Sequence, residues 1–313
     1  MTLTQLQYIV TLARLGNFRQ AAKASFVTQP TLSMQIQKLE DHLGVQIFDR
    51  SRQPIRPTDV GQKLIEAATH ILLQAKSIQE IADEDLAVLQ GDYDLGVIPT
   101  MAPYIIPLFA AEFTAAFPKV NLNIHELQTS EIIYRLKSDQ LDGGILATPL
   151  HDTALNESVL GYETFFAYVE GSDPLARKSK IAETDLPSDR IFLLNEGHCM
   201  RTQVLNMCKI REQGSLRHGL DFQSGSIETL VRMVDKCGGY TIVPYLAKEA
   251  FEKGSGKLIP IAPKAPVREI SLISHRAHIK KRIFDALFET IKEHLPAEVS
   301  KMKPRGSILD PLD

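Results

Sequence analysis

Leu3, Leu6, Ile9, Val10 and Ala13 recur at helical spacing, and Gly16 closes the helix they predict. Phe18 opens a second, shorter helix through RQAAKAS, where the small adjacent side chains of Ala21 and Ala22 let another helix approach closely. After the turn FVTQP, the segment TLSMQIQKLEDHLG sets Leu32, Ile36, Leu39 and Leu43 on one stripe ahead of Gly44, a C-terminal stop. Thr28 and Pro30 suit the N-cap and first turn of that helix. A short helix, a tight turn and a second helix on a supporting third predict a helix-turn-helix. VQIFDRSRQPIRPT alternates like a strand pair around a turn and adds a wing. Thr58 to Leu89 reads as one long helix. Along it Val60, Leu64, Ala67, Ile71, Ala75, Ile78 and Ala82 are separated by steps of four or three, close to an a/d seam. Such a stripe on a linking helix predicts pairing with a second chain.

From Gly91 the texture changes. GDYDLGVIPT, VNLNIHEL, LDGGILA, FFAYVEG, IFLLNEG, YTIVP and REISLIS read as strands. Between and after them, PYIIPLFAAEFTAAF, SEIIYRLKSDQ, a cysteine-bearing segment, SIETLVRMVDKCG and KKRIFDALFETIKEHL read as helices. Alternation of this kind predicts an α/β domain with mainly parallel strands. Ligands of such sheets sit beyond the carboxyl ends of the strands, which points to the loops Pro99–Thr100, Gln128–Ser130 and Gly197–Cys199. The predicted division is a DNA-binding domain over 1–58, a linking helix over 59–90, an α/β domain over 91–296 and a flexible tail over 297–313, where periodicity is lost.

Composition narrows the partners. At 313 residues, 44% hydrophobic and 23% charged, the chain suits a multidomain globular protein. MTLTQLQYIVTLARLGNF has no positive cluster ahead of an apolar core, and no stretch approaches about 20 apolar residues. The chain therefore reads as cytoplasmic, with no membrane partner. The net charge of −3 hides a local excess. Over residues 1–58, Arg14, Arg19, Lys23, Lys38, Arg50, Arg52 and Arg56 outnumber Glu40, Asp41 and Asp49. Gln29, Thr31, Ser33, Gln35 and Lys38 form a polar helix face able to meet base edges and phosphates, and Arg50, Arg52 and Arg56 can reach the backbone. A three-helix module that binds protein is the alternative, but the small alanines, the polar face and the arginine hairpin all agree on double-stranded DNA.

Two of the chain's three cysteines fall within NEGHCMRTQVLNMC. No Gly or Pro interrupts Met200–Met207, and Met, Arg, Gln and Leu are good helix formers. Nine residues of helix hold the two Cα atoms about 13 Å apart, whereas a disulfide needs them within about 7 Å. Either Cys199 and Cys208 never bond, or bonding dismantles the helix. Cys237, between a helix and a buried strand, reads as a small buried hydrophobe. No Cys-x-x-Cys or His-x-x-x-His spacing suggests zinc, and nothing calls for a cofactor.

The stretch AAKASFVTQPTLSMQIQKLEDHLGVQIFDR, followed by a long helix and an α/β domain, resembles the LysR-type transcriptional regulators. GHCMRTQVLNMC, VIPTMAPY and HELQTSE are similar to the sensing segments of the peroxide-responsive members of that family, and the likeness spans residues 1 to about 295. It implies a mainly α winged helix-turn-helix domain, a dimerisation helix and an α/β effector domain of two Rossmann-like subdomains, arranged as in periplasmic binding proteins. Subdomain I would cover 91–162 and 268–296, and subdomain II 163–267. It also implies that Cys199 reacts with hydrogen peroxide, that Cys208 is its disulfide partner, and that Thr100, Thr129, His198 and Arg268 form the pocket. Arg268 rests on aligning PVREISL; Cys237 has no counterpart in the motif. The partners implied are promoter DNA with dyad half-sites, a second copy in a homodimer or homotetramer, RNA polymerase, and a thiol reductant such as glutaredoxin or thioredoxin. The role implied is control, as an activator, of oxidative-stress genes.

The residue types suit that chemistry. The thiolate is the attacking species, and a free Cys with a pKa of about 8.5 is mostly protonated at neutral pH. A helix start and a nearby Arg268 or Arg201 are expected to bring Cys199 down. Hydroxyls of Thr100 and Thr129 and the imidazole of His198 can serve the departing oxygen. A sulfenic acid on Cys199 reaches Cys208 only if much of Met200–Met207 leaves the helix, giving a helical reduced form and a looped oxidised one. Closing about ten residues is worth on the order of 2.5 kcal/mol on the chain-entropy model, offset by the packing it disrupts. The expected bond is strained and reversible by cellular thiols. Two other classes compete: a regulator that binds a small metabolite with incidental cysteines, and a thiol peroxidase, which leaves sixty residues of DNA-binding module unexplained.

Overall fold

A computed structural model describes residues 1–313 except 52, 84–88, 188, 209–221, 223, 262–265, 278–279, 305 and 313. The chain divides into two compact units, one of Met1–Ala87 with Ala277–Ile279 and a second built from Val88–Arg276 and Lys280–Asp313.

In the first unit, helices α1 (Leu3–Leu15), α2 (Phe18–Ala24) and α3 (Gln29–Leu43) precede the antiparallel pair β1 (Phe48–Asp49) and β2 (Arg56–Pro57) and the long α4 (Asp59–Asp83). Each boundary has a local cause. Thr2 accepts from the Gln5 N–H while the Gln5 side chain accepts from the Thr2 N–H, a reciprocal capping box. Asn17 accepts from the N–H groups of Arg19 and Gln20, and Thr28 from that of Thr31. Gly16 and Gly44 end α1 and α3 in the left-handed conformation. Leu6, Ile9, Leu12, Ala21, Ala22, Leu32, Ile36 and Leu39 make the core, and Ile65 and Ala68 turn the near face of α4 into it. The far face leaves Val60, Ala67, Ile71 and Ile78 exposed, with Leu64 and Ala75 half-buried. Of the anticipated helix to Leu89, residues 84–88 lie outside the described residues, as does the side chain of Ala82.

The second unit runs β3 (Gly91–Val97), α5 (Ala102–Ala116), β4 (Val120–Glu126), α6 (Thr129–Lys137), β5 (Gly143–Thr148), β6 (Leu155–Glu163), β7 (Phe165–Val169), α7 (Cys199–Cys208) and α8 (Ile227–Cys237). It continues with β8 (Tyr240–Pro244), α9 (Lys248–Phe251), β9 (Lys257–Pro260), β10 (Arg268–His275), α10 (Lys281–His294) and α11 (Ala297–Ser300). Among the described residues one sheet has the order β4-β3-β5-β10-β6 and the other β8-β7-β9. Each carries its own core, one around Tyr93, Phe109, Ile145, Leu272 and Leu287, the other around Phe165, Tyr168, Val231 and Ile242.

Three expectations change here. Rather than being mainly parallel, the first sheet is mixed and the strands of the second pair antiparallel. β3 is parallel to β4 and β5, but β10 is antiparallel to β5 and β6, and β7 to β8 and β9. Alternating periodicity says that a strand exists, not which way the chain runs once it has visited the other sheet and returned. IFLLNEG contributes only isolated bridges, Ile191 to Tyr240 and Leu194 to Ser224, whereas β6 and β9 lacked a clear signal. Finally, the terminal segment expected to be flexible is built into the fold. After α11, the Val267 N–H donates to the Ser307 carbonyl and the Leu309 N–H to that of Val267, both at 2.9 Å. The Leu309 side chain is buried in the second core. Main-chain pairing of a short segment needs no periodic side chains, so nothing in the sequence pattern signals it.

Candidate functional site

Helix α7 begins at Cys199 and ends at Cys208, and both thiols are free. The helix straddles the two cores. Cys199 packs in the first, whereas Met200, Val204 and Met207 pack in the second. Its polar interior residue, Gln203, is fully buried.

The three loops singled out from the strand ends converge on the start of α7. Thr100 follows β3, Thr129 opens α6 after β4, and both are buried. The Gly197 backbone lies against the Gln128 side chain, so closely that a Cβ there would sit 2.7 Å from Gln128 Oε1. Thr129 carries a buried hydroxyl with no oxygen or nitrogen partner, close enough to the Cys199 sulfur to favour its thiolate. His198 is buried and faces Gly225, where a Cβ would lie 3.2 Å from its Nε2. Burial lowers the His198 pKa, leaving the imidazole neutral at pH 7.

Arg268 opens β10 with a fully buried side chain. The antiparallel register sets it opposite Glu163, the last residue of β6. Arg268 Nε and Nη2 donate to Glu163 Oε1 at 2.7 and 2.5 Å, and Nη1 donates to Thr100 Oγ1 at 3.1 Å. The second Glu163 oxygen accepts from the Leu246 N–H at 3.0 Å. Pattern reading missed Glu163, because a single carboxylate at a strand end looks like a surface residue until its partner, 105 positions away, is known. It missed Gln203 for the same reason.

The electrostatics correct one expectation. Burial pushes the Cys199 thiol up, and that outweighs the Arg268 charge, the Thr129 hydroxyl and the N–H groups of Met200 and Cys199, which all favour the thiolate. A helix start and an arginine were expected to win, but the sulfur is in a core and Arg268 is paired with a carboxylate. Cys208 is pushed up to about 12, by burial first and the nearby Glu183 charge second. Both thiols are therefore protonated at rest. Cys237 is a free, half-buried thiol at the end of α8, packed against the second core.

On α3, Gln29 and Lys38 are exposed, whereas Thr31, Ser33 and Gln35 are half-buried. Gln35 Oε1 accepts from Gln5 Nε2, and the Thr31 hydroxyl bonds that of Thr28. Pro30, Met34 and Gln37 share the open face, a phase that alternate-residue inspection of a helix misjudges. Arg50 pairs with the buried Glu40 at 2.5 Å and lies over the Phe18 ring, while remaining 41% exposed. Glu40 also accepts from the N–H groups of Ile47 and Phe48, anchoring the wing. Arg56 is exposed, and Arg52 lies outside the described residues. Among the described residues no helix is long and apolar enough to cross a membrane, and no cluster of metal-binding side chains occurs.

Residues 3–62 match the family model of bacterial regulatory helix-turn-helix proteins of the lysR family, and residues 87–296 match the LysR substrate binding domain. The chain is 32% identical over 309 residues, 98% of its length and 100% of the relative's, to the hydrogen peroxide-inducible genes activator of Dickeya chrysanthemi. It is also 32% identical over 293 residues to the HTH-type transcriptional regulator EstR of Acinetobacter baylyi, covering 93% of this chain and 96% of that one. Among solved structures, a full-length OxyR variant from Pseudomonas aeruginosa matches with a TM-score of 0.80 at 31% identity, covering 94% of this chain and 99% of that one.

Proposed function

The chain belongs to the LysR family of DNA-binding transcriptional regulators, and we propose that it is a member that senses hydrogen peroxide through Cys199 and Cys208. The observation that carries this reading is the placement of Cys199. It sits at the start of α7, where the Arg268 charge and the buried Thr129 hydroxyl act on its sulfur, with a second free thiol at the other end of the same helix.

The Cys199 sulfur attacks one peroxide oxygen, an S–O bond forms and the O–O bond breaks. The thiol proton ends on the departing oxygen, which leaves as water, and the sulfur is oxidised by two electrons to a sulfenic acid. Thr100 and Thr129 supply hydroxyls to the peroxide oxygens, and Arg268 stabilises charge developing on the one that departs. Because Cys199 rests protonated, an oxidant that can take up a proton on its leaving atom is favoured over a simple electrophile. Cys208 then attacks the sulfenic sulfur and releases a second water. α7 must unwind for this, pulling Met200, Val204 and Met207 from the second core. Reduction by a dithiol protein such as glutaredoxin or thioredoxin resets the helix.

Helix α4 supports a homodimer, because its exposed stripe of Val60, Ala67, Ile71 and Ile78 faces away from its own unit. A dimer reads two half-sites about one helical turn apart, with Gln29 and Lys38 of α3 toward DNA. Mass mapping of thiols before and after one equivalent of hydrogen peroxide, with DNA footprints on both samples, tests the reading. It expects a Cys199–Cys208 link and an altered footprint; oxidation without that link removes the switch.

A second reading is a regulator responding to a small metabolite. The match of residues 87–296 to the LysR substrate binding domain favours it. Cys199→Ser and Cys208→Ser variants that respond to the inducing signal as well as the parent would select it.

A further inference from the structure

Arg268 has no exposure to solvent, and neither has Glu163. A buried ion pair of this kind is a weak source of stability, since desolvation consumes most of the attraction. Its geometry is nevertheless specific. Glu163 takes both Nε and Nη2 of the guanidinium on a single oxygen, Oε1, and its other oxygen is fixed by the Leu246 N–H. The carboxylate therefore has no freedom to turn, and the remaining edge of the guanidinium, Nη1, is directed at Thr100. Arg268 is also the charge that acts on the Cys199 sulfur.

Resting on the peroxide-sensing reading above, we propose that Glu163 is a positioning residue for the chemistry of Cys199. By clamping one side of Arg268 it aims Nη1 at Thr100, and its negative charge offsets the guanidinium beside the sulfur. Orientation and charge are separate contributions. Orientation places a donor where the departing peroxide oxygen develops charge. The charge offset keeps Cys199 in the thiol form, which protects it from electrophiles that offer no atom to take the proton.

Two substitutions separate them. Glu163→Gln keeps an acceptor near Nε and Nη2 but removes the charge. The pH midpoint for alkylation of Cys199 by iodoacetamide, read by mass spectrometry on the full chain, is expected to fall by about one unit, with roughly tenfold faster alkylation at neutral pH. Glu163→Asp keeps the charge but withdraws the carboxylate by one methylene. It is expected to leave that midpoint in place while slowing peroxide oxidation of Cys199 by about tenfold or more. A role confined to folding would lower the melting temperature in both variants without moving the midpoint. An unmoved midpoint in folded Glu163→Gln, or a peroxide rate within about twofold of the parent in Glu163→Asp, overturns the proposal. Should Glu163→Gln fail to fold, the Glu163→Asp rate decides. If Cys199 of the parent is inert to peroxide, the sensing reading fails, and the alkylation midpoint still reports whether Glu163 acts on the sulfur.

Discussion

The Gln203 side chain donates from Nε2 to the main-chain carbonyl of Leu309 at 3.1 Å, tying the middle of the helix between the two cysteines to a segment 106 residues further along. The same segment pairs with Val267, the neighbour of Arg268. The segment around Leu309 thus braces both the helix proposed to unwind and the strand that carries the buried guanidinium.

Leu309→Ala tests that brace. Emptying a buried leucine site costs roughly 2–5 kcal/mol, and chemical denaturation will read it as a lower unfolding midpoint. Because the brace favours helical α7, the variant is expected to form the Cys199–Cys208 disulfide faster at one equivalent of peroxide, measured by thiol trapping over time. Equal rates in variant and parent would show that the terminal segment stabilises the unit without restraining the switch.

The thiols also predict an alkaline weakness. Burial holds both Cys199 and Cys208 protonated in the folded state, with Cys208 at about 12. An unfolded thiol titrates near pH 8.5, about where ionisation begins to favour the unfolded chain. The stability linked to Cys208 is full below that value and is lost as the pH rises toward 12. The melting temperature of the reduced protein should fall between pH 8 and pH 10, and Cys208→Ser should flatten the decline.

At the DNA face, Lys38→Ala removes an exposed cation. It should weaken binding nearly equally for all sequences and reduce the salt-dependence slope by about one. Gln29→Ala should instead cost roughly 1–3 kcal/mol at one base position. Gln35→Ala should change affinity little, because its carbonyl oxygen is engaged by Gln5. Binding isotherms at several salt concentrations distinguish the three.

For self-association, Ile71 and Ile78 are 42% and 70% exposed on the outer face of α4. Ile71→Glu and Ile78→Glu place charges into the proposed seam. Sedimentation should show a shift toward a smaller species and a loss of paired half-site footprints, and an unchanged species would place the dimer contact elsewhere.

The sequence carried the parts of this protein that are decided locally. The Thr28 cap, the Gly16 and Gly44 stops and the inward alanines of α2 act within a few residues, so their types reveal their roles. The strand-end rule singled out the loops that hold Thr100 and Thr129, which follow β3 and β4. What escaped is decided over distance. The direction of β10, the Glu163 partner of Arg268 and the Gln203 contact to Leu309 each join positions more than a hundred residues apart. The protonation of Cys199 escaped for a related reason, since a residue's neighbours in sequence do not reveal how completely water is removed from it.

Because α7 contributes its first residue to one core and the next turns to the other, the proposed oxidation is a small unfolding reaction with a heat-capacity signature. Withdrawing Met200, Val204 and Met207 exposes apolar surface, which raises the heat capacity of the oxidised form. The enthalpy of closing the disulfide must then change with temperature, and so must the balance between the reduced and oxidised helix at a fixed thiol potential. Calorimetric oxidation at several temperatures would read that dependence directly; on the proposed switch, warming or cooling would shift the peroxide level at which one form gives way to the other.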